Sequence, residues 1–206
     1  MALDRLRAQG VPVAFLLTTV SREFDRVSIH GVRRTLLHAQ ARTLGLPLQE
    51  VVLPPSPSND IYEAAMATVL SSVGGEISGV AFGDLFLEEI RSYRERQMGE
   101  LGLVAHFPLW GEETPLLARD WIGRGHQATV VVVDTTQLDG SFSGRAYDRV
   151  FLEDLPEGVD PCGERGEFHT FVHAGPGFAA PIAVRAGERV LREDRFLFCD
   201  LIEEDS

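Results

Sequence analysis

Ten residues toward the C-terminal end, Pro161 to Thr170, read PCGERGEFHT and hold a thiol, two carboxylates, two glycines and a histidine. Those types at that spacing fit a metal site, an acid–base pair, a substrate clamp or a tight turn. A zinc site would need His169 to join His173, and histidines at i and i+4 share an ion on a helix. EFHTFV, however, is rich in β formers and bounded by Gly166 and Gly175, so it is predicted as a strand. At about 3.3 Å per residue, side chains four apart on a strand stand roughly 13 Å apart, too far for one ion. Cys162 makes a poor nucleophile, because neighbouring Asp160 and Glu164 raise a thiol pKa. What remains is a glycine-flexed loop holding Glu164 and Glu167 and feeding a strand with Glu167, His169 and Phe171 on one face. Such a loop suits a cationic or amide-bearing substrate, or an amine to be oriented. An acidic turn feeding a hairpin is the plain structural alternative.

Two further stretches carry chemistry. VSIHGVRR (27–34) sets His30, Gly31, Arg33 and Arg34 ahead of a predicted helix. A helix N-terminus near arginines suits an anion such as phosphate, although arginine at a helix start is also common on ordinary surfaces. In FGDL (82–85), Gly83 lets backbone approach a ligand closely, and Asp84 either projects a carboxylate into a cleft or caps the next helix.

The elements that position these residues alternate. Apolar runs at 11–20, 48–54, 77–84, 103–110 and 127–134 read as strands, the first near-continuously apolar as in a strand buried on both faces. Between them lie helices: 31–45 stopped by Gly45, one opened by an Asp60–Glu63 capping box with Tyr62, Met66, Val69 and Val73 on one stripe, 86–101 with Phe86, Ile90, Tyr93 and Leu101 inward, and one opened by Thr114-Pro115 with Leu117 and Trp121 buried. The alternation predicts an α/β fold with a doubly wound parallel sheet over 1–138. Short strands at 167–173, 181–186, 188–192 and 195–201 predict a small antiparallel β-rich extension over 139–206, ending in a frayed EEDS tail. Ligands bind beyond the carboxyl ends of parallel strands, here Thr18, Thr19 and Ser21, Pro54, Gly83 and Asp84, Pro108 to Trp110, and Asp134 and Thr135. ALDRLRAQG has the spacing of a helix with no cap or strand ahead of it, so a preceding βα unit is expected to be missing.

The formal charge of −12 repels phosphate backbones and argues against a nucleic-acid partner. All 19 basic residues are arginine, which excludes Schiff-base lysines and any lysine-dependent phosphate loop within these residues. No apolar run approaches the roughly 20 residues of a membrane span. Two distant cysteines, Cys162 and Cys199, point to a reducing cytoplasm.

VSIHGVRR, GVAFGDLFLEEIRSYRE (79–95), FPLW (107–110) and CGERGEFHTFVHAGPGF (162–178), in this order, resemble the diphthine–ammonia ligase (diphthamide synthase) family of the PP-loop ATP pyrophosphatase superfamily. The resemblance covers nearly the whole chain. It implies an adenine nucleotide alpha hydrolase-like domain of HUP type followed by a smaller substrate-binding region. It also implies ATP and Mg2+ as cofactors, and a carboxylate acceptor (possibly on a protein) that is adenylated and then amidated by ammonia with release of AMP and pyrophosphate. Carried over, Asp84, Glu164 and Glu167 are the expected catalytic residues. Thr18, Thr19, His30, Gly31 and Gly83 border the nucleotide, and Arg94, Trp110, Gly166, His169 and Thr170 line the acceptor pocket, with no protein-held metal. The family's SGGKDS-like phosphate loop would fall just before Met1, so an N-terminally incomplete ligase is expected. The alternative is a non-catalytic module binding an adenine nucleotide or a partner protein. A PP-loop enzyme acting on tRNA is disfavoured by the acidic charge and the lack of a paired-cysteine relay.

Overall fold

A computed structural model describing residues 1–73 and 77–204 shows how each apolar run is used. In chain order the elements are α1 (Ala2–Ala8), β1 (Leu16–Ser21), β2 (Arg26–Val27), α2 (Arg34–Leu44), β3 (Leu48–Leu53), α3 (Asn59–Ser72), β4 (Gly79–Ala81), α4 (Glu88–Glu100), β5 (Val104–His106), α5 (Thr114–Gly123), β6 (Gln127–Asp134), a 3-10 turn (Gly140–Phe142), α6 (Arg149–Asp154), β7 (Phe168–Ala174), β8 (Val184–Arg192) and β9 (Phe196–Glu203). The architecture is α/β, with parallel pairs and one antiparallel sheet. The chain divides into two compact units, one of Met1–Asp25 with Leu46–Glu112, the other of Arg26–Gly45 with the chain from Glu113 onward.

In the first unit β1 runs parallel to β3, from Leu16 opposite Leu48 to Ser21 opposite Leu53, and β4 runs parallel to β5. Val51, Leu53, Met66, Leu70 and Met98 form its core, with Leu17, Val80, Phe82 and Ala105 packed against them. Gly79 is required, since a Cβ there would strike the Val104 carbonyl and approach the His106 ring to 2.8 Å. The cap of α3 is Ser58, whose hydroxyl accepts from Ile61 N at 3.4 Å, in place of the expected Asp60–Glu63 box. Serine competes well for that position, and Asp60 then sits inside the first turn, where its charge still favours the helix dipole. On α4 the inward face carries Gln97 and Met98, while Ile90, expected inside, is 39% exposed.

In the second unit β6 lies inside a four-stranded antiparallel sheet of order β7-β6-β9-β8. The expectation that 127–134 is a fifth parallel strand is therefore corrected. The strand is buried on both faces, and that burial makes its run continuously apolar whichever way its neighbours point. Phe168 and Phe171, three apart on β7, face opposite sides. Phe171 joins Val32, Leu36 and Ala39 around α2, while Phe168 packs edge-on to Phe151 at 5.1 Å in a cluster with Phe142 and Tyr147. Gly45 ends α2 in the left-handed region at φ 68°, as read from the sequence. Glu113, one residue before the expected Thr114, stands at the start of α5, with Pro115 in the first turn. The two short strands read at 181–186 and 188–192 are one strand, β8, with a register shift between Ala186 and Arg189, so Gly187 marks a bulge where a turn was expected. Glu203 ends β9 and Glu204 N donates to Ala183 O at 2.9 Å, so the tail is tied down to that point; Asp205 and Ser206 of EEDS lie outside the described residues. The 3-10 turn and α6, both absent from the sequence reading, are capped by Asp139 and Asp148.

Candidate functional site

The PCGERGE segment folds on itself through two buried carboxylates. Glu167, 2% exposed, accepts at Oε1 from Asp160 N (2.9 Å) and at Oε2 from Arg165 N (3.0 Å). Asp160, 5% exposed, accepts at Oδ2 from Glu164 N at 2.8 Å. Gly163 and Gly166 adopt φ of 70° and 80°, and a Cβ on Gly163 would lie 2.6 Å from Phe168 O. The loop is thus a preformed frame, with Glu167 and Asp160 as its internal staples and Glu164 half-exposed on its rim. Tyr147 anchors the frame from below by donating its hydroxyl proton to Pro161 O at 2.7 Å, and burial pushes that phenol far up. Burial, then Asp160 and Glu164, push the Cys162 thiol up to about 12, so it is protonated at neutral pH, as its neighbours in sequence predict.

Beyond the frame, β7 carries His169 and Thr170 opposite Val132 and Val130 of β6. The His169 ring lies 4.6 Å from that of His30, which sits in the turn before α2. Burial and the facing His30 lower His169 to about 4, and burial lowers His30. Both imidazoles are therefore neutral at pH 7. Gly31, at φ 64°, packs so closely on Phe198 that a Cβ would stand 2.6 Å from the ring. The structure thus brings Glu164, Gly166, Glu167, His169, Thr170, His30 and Gly31 into one unit. Of the two readings open for Arg33, anion ligand or ordinary surface charge, the structure shows its guanidinium gripping Asp200 through Nε (3.1 and 3.2 Å) and Nη2 (2.5 Å). Asp134, expected at a ligand-facing strand end, is 1% exposed and bound by Arg195, Thr136 and Gln137, which hold its carboxyl well below the usual range despite burial.

The first unit holds the remaining predicted residues. Thr18 and Thr19 are half-buried on β1 opposite Glu50 and Val51. Asp84 follows Gly83 after β4 and accepts from Arg94 Nε at 2.9 Å; the Arg94 guanidinium rests 4.4 Å over Phe82. Phe82 stacks on Phe107, which meets Trp110 edge-on at 5.9 Å, and Arg91 lies 4.7 Å over Trp110. Two arginines on adjacent turns of α4 thus sit on an aromatic shelf beside Asp84. Arg91 was missed from the sequence although the i, i+3 spacing with Arg94 places both on one helix face. Asp160 and Asp200 were missed because nothing local distinguishes them from other acids.

Two comparisons bear on this arrangement. Residues 113–203 match the family model of the diphthamide synthase C-terminal domain. The chain is also similar to the diphthine–ammonia ligase of Homo sapiens, 30% identical over 121 residues, which is 56% of this chain and 45% of that protein. The chain thus matches somewhat under half the length of that curated relative. The stretch matched by the family model contains the whole Asp160–Glu167 frame with His169 and Thr170, so the likeness to the diphthamide synthase C-terminal domain falls on the residues of this frame.

Proposed function

We propose that this chain carries the chemistry of an ATP-dependent, amide-forming ligase of the diphthine–ammonia ligase type, working in the cytoplasm on a carboxylate acceptor and ammonia. The observation that carries the reading is the stapled 160–167 frame inside the family-matched stretch, because a preformed loop carrying Glu164 and leading directly into His169 and Thr170 on β7 is suited to holding a small polar nucleophile. ATP supplies the adenylyl group that makes the acceptor carboxylate a good electrophile. Mg2+ would accompany the ATP phosphates, with no protein carboxylate assigned to it.

The chain's own residues act by position and charge. Arg94, fixed by Asp84 and Phe82, offers a guanidinium to the acceptor's carboxylate, with Trp110 flanking it. Glu164, in the second unit, accepts N–H bonds from ammonia and so orients its lone pair. Neutral His30 and His169 offer ring nitrogens without adding positive charge that would repel ammonium or draw off the nucleophile's lone pair. By the family resemblance Thr18, Thr19 and Gly83 of the first unit, and Gly31 with its turn in the second, are assigned to the nucleotide.

The test is product analysis with the complete natural protein, labelled ATP, Mg2+, ammonium and diphthine, the acceptor in the relative's name. AMP and pyrophosphate are expected, with Glu164→Gln lowering kcat by about 10²-fold or more, the range of a lost positioned acid–base group. Nucleotide bound but never cleaved would contradict the reading in favour of a binding module.

A further inference from the structure

We propose that Asp200 is a positioning residue of this site: acting through Arg26 and Arg33, it fixes the Ser28–Gly31 turn and so delivers the His30 ring onto His169. The inference rests on the functional reading above, in which that turn borders the nucleotide.

One carboxylate on β9 brackets the turn at both ends. Arg26, just before it, donates from Nη1 to Asp200 Oδ1 at 2.8 Å and also to Gly31 O at 2.7 Å. Arg33, just after it, closes a fork on both Asp200 oxygens. The turn needs such a hold. Ile29 has φ 66° and is 71% exposed, a left-handed conformation that is sterically costly for a β-branched residue and that burial does not offset. Gly31 is also left-handed and is pressed onto Phe198, two residues before Asp200. The same strand therefore supplies the wall that the turn rests on and the anion that ties it there. Asp200 stays charged: burial works against ionisation, but hydrogen bonds from Arg33 and Arg26 outweigh it. His30 has no strong tether of its own, its Nδ1 lying 3.4 Å from Ser28 O, so its place against His169 depends on the turn.

The test compares wild type with Asp200→Asn in the complete natural protein by two readouts. Imidazole NMR titration reports the His30–His169 contact without any ligand, and steady-state kinetics report KM for ATP apart from kcat. Release of the turn is expected to return His30 toward its ordinary 6.5 and to raise KM for ATP by about tenfold with a smaller change in kcat. Arg33→Gln, at a half-exposed residue, gives the same pattern more weakly and serves if Asp200→Asn does not fold. Unchanged His30 titration in these variants overturns the proposal, and so does a released His30 with unchanged KM. If wild type neither binds nor uses ATP, the functional reading fails and takes this role with it; the titration then still distinguishes that failure from an intact tether.

Discussion

Glu167 is 2% exposed and accepts from two backbone N–H groups, so its side chain shapes the loop that carries Glu164. Glu167→Gln keeps one acceptor but turns a donor toward the other N–H. A loss of about 1–3 kcal/mol in urea denaturation is expected, the cost of one buried unsatisfied group, with activity falling alongside stability. Equal stability of the two proteins would contradict the staple. His169 gives a pH signature. Its folded value, about 4, lies below the 6.5 of the unfolded chain, so the folded state binds fewer protons between the two. Its contribution is full above pH 6.5 and is lost as pH falls toward 4, on the order of 2 kcal/mol after allowance for partial exposure. Urea midpoints measured from pH 7 to 4 should fall less steeply in His169→Gln than in wild type; parallel curves would count against the assignment.

At the scale of elements, the turn before α2 and strand β9 fit each other through Gly31 and Phe198. Gly31→Ala forces a side chain into the left-handed region and against the ring, with an expected loss of about 1–3 kcal/mol. Adding Phe198→Leu makes space and should restore part of that loss relative to Phe198→Leu alone, measured as a double-mutant cycle. Purely additive effects would show that the ring is not the obstacle. These pairings also show what the sequence could not reveal. The end of α2 at Gly45 and the β character of 168–174 were legible because their causes are local: a left-handed stop, and β formers between glycines. The direction of β6 was not, because burial on both faces erases the alternation that would have marked an antiparallel strand. Ser58 displaced Asp60 as cap because two good capping residues stand within three positions.

Across the whole molecule, the residues of the frame were readable as a group because the sequence brings them together within ten positions. The tether was not, because Arg26 and Arg33 meet Asp200 across 174 and 167 residues of chain, and no composition or period signals that meeting. Among the described residues no helix is long and apolar enough to cross a membrane, and Cys162 and Cys199 are free thiols. In the proposed function, ammonia becomes an amide nitrogen at the Glu164-bearing frame. The most direct test of that step is to supply 15N-ammonium with ATP and diphthine and follow the product's mass alongside AMP. One 15N gained per AMP released is expected, with loss of both in Glu164→Gln. AMP released without 15N entering the product, or 15N incorporation undiminished in Glu164→Gln, would contradict it.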